Sequence, residues 1–474
     1  MKNKGRGVSR VSWMTGLGAL AGMASAGPLL AGPSAIGIRF EKTLDFAAQQ
    51  SAELADDVLS GNRERFVNYT TAPGDWRTQN DRTWTSGFVP GLFWYLYDLG
   101  GDPLWREDAV HWTEGVRSRA TATDNDTSFQ IFSSFGLGYR MTGESNEDYK
   151  DVILTAAETV STQRYNETIG CYRSWGQGGD GVSNPTSLPF EVIIDQMMNL
   201  ELQLWAGYNG GPERYIDEAI RHADKTWENN VRADGGTYHV VAYNLDGSVA
   251  YKRTHQGWRE ESTWSRGQAW AVYGYTMVHR YTGLERMLER ARICYDYFMT
   301  ETLKDSPDYI AYSDFDAPLD SQNPRDTSAS AIVAAAAIEL YGITGEARFL
   351  EDAEAILDSL SSPRYLARGS RYESILLKAS EKWGRPEVGA IFADFYFLEA
   401  LKRYRELELP EAEVTGNWAG YDVLDGAFVD TGSWMGWTGY REAPFLYNYT
   451  IEGWLYEAPG TTGTTGGWFF SYRP

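Results

Sequence analysis

Two aspartates, Asp126 and Asp195, stand 69 positions apart, and Asp195 lies in a setting that ionisable groups usually avoid. Asp195 interrupts the run Glu191-Val-Ile-Ile-Asp-Gln-Met-Met-Asn-Leu200, which otherwise reads as the interior of a packed helix. Burying an ionised carboxylate without partners costs several kcal/mol, so such a group is paired, hydrogen-bonded or held protonated with a raised pKa. The last state is that of a general acid; a buried Asp bonded to a neighbouring helix is the structural alternative. Asp126 lies in Asp124-Asn-Asp-Thr-Ser-Phe129, where an Asp also suits the N-cap of a helix. If the two share a water-poor cleft, their charges repel. One then keeps its proton near neutral pH while the other stays ionised, which divides acid and base roles.

Further polar and aromatic groups recur along the chain in Arg82-Thr-Trp-Thr-Ser-Gly-Phe-Val-Pro-Gly91, Tyr238-His-Val-Val241, Thr254-His-Gln-Gly257 and Glu261-Ser-Thr-Trp-Ser-Arg-Gly-Gln-Ala-Trp270. Arg266, set among Trp264, Ala269 and Trp270, fits a clamp for a carboxylate and equally fits a helix-anchoring ion pair. Trp84, Trp264 and Trp270 offer stacking faces for pyranose rings, although aromatics at helical spacing also fill cores.

Taken in order and rough spacing, these segments resemble the unsaturated glucuronyl hydrolases of glycoside hydrolase family 88, from about residue 45 to about residue 405. The resemblance implies an (α/α)6 barrel. It places the family's two catalytic aspartates on Asp126 and Asp195, with Asp195 as general acid/base, and puts His239, Gln256, Arg266 and Trp270 around the uronate; Trp84, by its stacking face, is expected as a further substrate contact. The implied substrate is an oligosaccharide ending in a 4,5-unsaturated uronic acid, the product of a polysaccharide lyase. Protonation at C4 of its vinyl ether, addition of water at C5 and opening of the hemiketal expel the aglycone. No metal and no cofactor is implied. Asp126 would stabilise the developing positive charge or attack covalently, and the residues leave both open. The family usually carries His before this Asp; here the residue is Asn125, which removes one titratable neighbour.

Helical hairpins are the elements that must position these residues. Gly-containing turns at Leu99-Gly-Gly-Asp102, Thr142-Gly-Glu144, Asn209-Gly-Gly-Pro212, Thr282-Gly-Leu284 and Thr344-Gly-Glu346 each separate an apolar-aromatic segment from an amphipathic one. The periodicity predicts twelve helices, at 45–60, 84–99, 103–121, 126–142, 147–164, 188–207, 212–230, 262–282, 284–303, 326–343, 347–361 and 391–406. Apolar members alternate with amphipathic ones, as inner and outer helices of a ring would. The fold class expected is therefore all-α, six hairpins closed as an (α/α)6 barrel over residues 27–410, with an open α-solenoid as the alternative. A loop at 175–184 and a hairpin at 234–252 precede chemistry-bearing segments, as cleft-building loops do. Beyond residue 410 the chain turns to Gly, Trp, Tyr and Thr without helical period, which predicts an irregular extension, 411–474, of unassigned role, with a small appended β element or a disordered extension as the readings left open.

A net charge of -22 argues against nucleic acid or an anionic membrane surface as partner, since both require a basic footprint. It leaves room for a small acidic ligand, which a local cation can hold. Two cysteines, Cys171 and Cys294, are too few for a disulfide framework or a zinc site. Residues 1–26 carry Lys2, Lys4, Arg6 and Arg10, then an apolar run ending Ala24-Ser-Ala26, the layout of a secretory signal, so an extracytoplasmic location is expected. Sequons stand at Asn68, Asn125, Asn166 and Asn448. Two other function classes fit parts of this pattern: a polysaccharide lyase, with Tyr238 or His239 removing a C5 proton, and a non-catalytic glycan-binding solenoid.

Overall fold

The computed structural model describes residues 40–143, 145–174, 188–407 and seven strands between 414 and 471. The signal-like stretch 1–26 and the loop 175–184 lie outside the described residues. The chain divides into two compact units, one made of the helices and one containing the C-terminal strands.

The helical unit is the expected ring. Helix α1 (Glu41–Glu53) is followed by a short hairpin of β1 (Phe66–Thr70) and β2 (Trp76–Gln79). Helix α2 (Phe88–Gly100) turns back into α3 (Pro103–Gly115), whose start is fixed by Pro103 and by Asp102 accepting from the Leu104 N–H at 2.9 Å. The next inner helix is built in three pieces: α4 (Thr127–Ile131), a π turn (Phe132–Gly136) and α5 (Leu137–Met141). It is backed by α6 (Glu147–Arg164), which runs into a short hairpin of β3 (Tyr165–Asn166) and β4 (Cys171–Tyr172). Then come α7 (Gln196–Tyr208) with α8 (Arg214–Asn229), α9 (Ser265–Thr282) with α10 (Glu285–Asp305), and α11 (Thr327–Thr344) with α12 (Ala347–Leu360). Gly283 and Gly345, at φ +65° and +69°, supply the left-handed caps that let α9 and α11 reverse into their partners. The last helix, α13 (Ile391–Arg405), closes the ring: its Phe395 packs against Phe88 and Tyr95 of α2 at 4.9 and 5.0 Å. Gly91 allows this approach, because a Cβ there would meet the Phe395 ring. Gln50 of α1 donates to the carbonyls of Tyr372 and Ser374 ahead of α13, tying the first helix to the last hairpin.

Ion pairs bind the C-terminal halves of the inner helices to one another. Arg140 reaches Glu201, which also pairs with Arg280; Arg280 pairs with Glu339, which Arg403 shares; and Arg403 reaches Glu399. Each bond is 2.6–2.9 Å. With that end of the barrel locked, the N-terminal ends of the same helices are left to build a cleft. Helix α11 is long and apolar enough to cross a membrane by composition, yet it is an inner helix of this ring, buried along most of its length.

One predicted boundary is wrong in an instructive way. The segment 188–207 does not begin as helix: Phe190–Ile193 forms strand β5, and α7 starts at Gln196. The β-branched run Val192-Ile193-Ile194 pairs antiparallel with β6 (Val240–Tyr243), itself Val-Val at its start, with Val192 opposite Val241 and Ile193 opposite Val240. The expected hairpin is present as β6 and β7 (Val249–Arg253), which completes a three-stranded sheet. Asp195 is thus not inside a helix but at its threshold.

In place of an irregular extension, the C-terminal unit is an antiparallel meander of seven strands from Val414 to Ser471, each paired with its neighbour in sequence. The two cysteines are both buried and free.

Candidate active site

Antiparallel pairing of β5 with β6 is what delivers the acid. Asp195 follows β5 closely and His239 precedes β6 directly, and the Ile194 N–H donates to the His239 carbonyl at 2.9 Å. Asp195 occupies the N-cap position of α7 but its side chain caps nothing. Its carboxyl instead faces a cavity of about 290 Å³ lined by Tyr69, Trp84, Asp126, Asp195, Gln256 and Arg266, among others.

The Asp195 side chain is 16% exposed. Burial pushes its pKa up to about 6, against the smaller opposing pull of the Arg266 charge. The Trp270 indole lies close enough to favour the ionised form slightly, without a hydrogen bond of ordinary geometry. His239 Nε2 stands 3.6 Å from Asp195 Oδ2. The His239 Nδ1 accepts from the backbone N–H groups of His255 and Gln256, both at 3.3 Å, so in the neutral ring the proton sits on Nε2, toward Asp195. Burial, reinforced by the charges of His255, Arg253 and Arg266, drives the His239 pKa well down and keeps the ring neutral. A neutral N–H donor therefore faces the Asp195 carboxyl.

Asp126 precedes α4 and likewise makes no capping bond with its side chain. Asn125 Nδ2 donates to Asp126 Oδ1 at 3.0 Å, and the Asp126 N–H donates to Asp124 Oδ1. Asp124 is paired with Arg119, whose Nε donates to Gln130. Gln130 in turn donates to the Thr83 carbonyl, beside Trp84. The two acids are set relative to one another by Asn199, one turn beyond Asp195, whose Oδ1 accepts the Phe129 N–H at 3.1 Å. The sequon at Asn125 is 1% exposed, so its amide is inaccessible in the folded chain.

Of the other predicted site residues, Trp84 is half-buried in the cavity wall, its ring braced by Phe88, Phe129 and Phe392. Gln256 also lines the cavity, its Nε2 donating to the Glu381 carbonyl at 3.0 Å. His239 is nearly fully buried behind Asp195 and is a support, not a wall. Trp270 must be reassigned: it is buried among Phe129 and Tyr396 beneath Asp195 and presents no face to a sugar. Trp264 is also buried, tilted against His239 with ring centroids 4.7 Å apart, and contributes to the cavity lining.

Arg266 resolves in favour of the ion pair. Its Nη1 donates to Asp326 at 2.7 Å and to Ser328, and it also reaches the carbonyls of Ser380 and Glu381, with its plane over Trp264 and Phe392. The guanidinium is anchored, so it acts on the cavity as a fixed positive charge beside Asp195. Residues not foreseen are Tyr69 from β1, Ile193, His255, and Glu381 with Lys382 from the loop after β8 (Ala379–Ser380). Among the described residues no group of His, Cys, Asp or Glu side chains is arranged to hold a metal ion.

The family profile described as Glycosyl Hydrolase Family 88 matches residues 61–396. An unsaturated glucuronyl hydrolase of Formosa agariphila is 38% identical over 335 residues, which cover 69% of this chain and 81% of that protein. One from Bacillus sp. (strain GL1) is 30% identical over 366 residues, covering 75% and 93%. Among solved structures, an unsaturated glucuronyl hydrolase specific for heparin superposes with a TM-score of 0.72 at 32% identity, covering 79% of this chain and 98% of that one.

Proposed function

The chain belongs to glycosyl hydrolase family 88, and from that membership we propose that it removes a 4,5-unsaturated uronic acid from the non-reducing end of lyase-generated oligosaccharides. The observation that carries this reading is the Asp195 carboxyl, recessed in a sugar-sized cavity that a second aspartate, Asp126, also lines, with its pKa raised into the range where it can both give and take a proton.

In the reaction, protonated Asp195 gives its proton to C4 of the C4=C5 vinyl ether. Positive charge develops at C5 and the ring oxygen, where the carboxylate of Asp126 across the cavity stabilises it. The Asp195 carboxylate then takes a proton from water as the oxygen of that water bonds to C5. The hemiketal so formed opens to a ketone at C5, leaving the former ring oxygen as a hydroxyl on C1; this C1 hemiacetal collapses to an aldehyde as its proton passes to the C1 substituent, which leaves as an alcohol, and Asp195 is again protonated for the next turnover. The His239 Nε2–H supports the ionised stage of this cycle. Trp84 supplies the stacking face, and Lys382 supplies a lining cation for the uronate carboxylate that complements the anchored charge of Arg266. A lyase would require a base aimed at C5 of a saturated uronate. Tyr238 donates its hydroxyl to Glu261 and Lys252 lies over its ring, and the neutral His239 faces Asp195, so neither is placed for that task. We further propose that the chain works outside the cytoplasm, as its N-terminal signal-like layout suggests.

Loss of the ultraviolet absorbance of the conjugated C4=C5 bond follows the reaction directly. Wild-type protein is expected to erase it with an unsaturated disaccharide, with activity falling as pH rises through about 6, because the required form of Asp195 is protonated. The anionic substrate raises the pKa of Asp195 further, so the alkaline limb of kcat lies above that of kcat/KM. Growth of absorbance on a saturated uronate polymer would identify a lyase, and no change on either substrate with folded protein would leave a binding protein.

A further inference from the structure

The Asn125 amide is enclosed, 1% exposed, and spends its Nδ2 on one partner, Asp126 Oδ1 at 3.0 Å. Its own Oδ1 has no hydrogen-bond partner among the described residues, so the side chain is not held there for its acceptor. A buried polar group kept for a single donor bond to a carboxylate points to that carboxylate as its purpose. The backbone adds to the case. Asp126 has the sequence position of an N-cap, and an uncontested Asp there would turn its carboxylate onto the N–H groups of its own helix. It does not; the cap bond is unmade and Asp126 lines the cavity.

We propose that Asn125 is a positioning residue for the reaction described above: its amide pulls the Asp126 carboxylate out of the capping position, aims it into the cavity and favours its charged form, without adding a titrating group of its own. The inference rests on the proposed function for its meaning but not for its geometry. Groups that face Asp126 from its own segment are Asp124, neutralised by Arg119, and Asn125 itself. From the other walls of the cavity come Asp195 and Tyr69, the anchored Arg266, and His255 with Glu381 and Lys382. Asp195 and His255 are the members of this set able to change charge in the neutral range, and the amide that bonds to Asp126 cannot. A hydrogen bond to a charged group is strong enough for its loss to matter to turnover.

The test compares wild type, Asn125→Leu and Asn125→His by two readouts. The first is the titration of the Asp126 carboxyl carbon by NMR in aspartate-labelled protein, assigned by difference against Asp126→Asn; it needs no substrate. Asn125→Leu is expected to raise the Asp126 titration midpoint relative to wild type, and an unchanged midpoint overturns the proposal. The second is the pH profile of kcat and KM on an unsaturated disaccharide. Asn125→Leu is expected to lower kcat about 10- to 100-fold with KM little changed. Asn125→His, which keeps an N–H donor, is expected to recover most of kcat while adding an ionisation in the imidazole range, at about pH 6.5, that wild type lacks. Wild-type kcat and an unaltered profile in Asn125→Leu would overturn it. If Asn125→Leu fails to fold, Asn125→His carries the test alone, and absence of the added ionisation in an active protein contradicts the proposal. Wild type inactive on every unsaturated substrate would instead refute the proposed function, while the NMR titration still decides the role of Asn125.

Discussion

Replacing Asp195 by Asn is expected to lower kcat at least about 10³-fold on any substrate the wild type accepts, while leaving binding largely intact. The amide is nearly the same shape, sits equally well between His239 and Trp270, and can neither deliver a proton to C4 nor take one from water. Loss of fold would not explain such a result, because proton linkage runs the other way. The folded-state pKa of Asp195 is raised from 3.8 to about 6, so the folded chain holds a proton that the unfolded chain releases. The contribution of this group to stability is therefore complete below the unfolded value of 3.8, and is lost as pH rises through about 6. The substituted amide carries no such loss. Asp195→Asn should melt at or above the wild-type temperature at neutral pH, and below-wild-type melting together with inactivity would remove the assignment's support.

Second in size is the expected effect of Asp126→Asn, a fall in kcat of about 10²- to 10³-fold with KM changed far less. This carboxylate contributes charge, and the charge it answers exists only as C5 becomes cationic, so the loss belongs to the transition state and not to binding. Azide added to Asp126→Asn distinguishes the two roles that the sequence leaves open. A charge stabiliser gives no azide adduct of the uronate, whereas a nucleophile replaced by an amide would permit one to form and would be partly rescued. We expect no adduct and no rescue.

Much of this fold and site is legible in the chain itself. The Gly turns at Gly283 and Gly345 mark hairpin reversals where the structure has them, because a left-handed cap is a local requirement that sequence states locally. Asp195 stands out because charge in an apolar context is costly wherever the fold puts it, whereas Asp126, in a polar run, is marked by the family resemblance alone. Periodicity misplaces the start of α7 because Val192-Ile193-Ile194 is apolar in either period; only the distant strand Val240–Tyr243, which pairs with it, decides between helix and strand. Trp270 misleads for a related reason. Its spacing suits a sugar platform or a core equally, and what decides is the enclosure by Phe129 and Tyr396, which come from helices far apart in sequence. Tyr69, Glu381 and Lys382 carry no sequence signal at all. They reach the cavity from a short strand and a loop with no period of their own, brought near by the closure of α13 on α2 and by the isolated bridge of Tyr69 to Ala390. The meander beyond residue 414 carries no helical pattern, and its strands are too short and too rich in Gly to read as such without the pairing that joins them.

The fate of solvent atoms tests the proton transfer from Asp195 to C4 most directly. Wild-type protein turned over in heavy water enriched in ¹⁸O, with the product trapped by reduction before its carbonyl exchanges, is expected to place one deuterium at C4 and the heavy oxygen at C5, and Asp195→Asn to form no such product. Heavy oxygen at C1, with the C4=C5 bond retained in the released sugar, would show ordinary glycosidic hydrolysis and contradict the role given to Asp195.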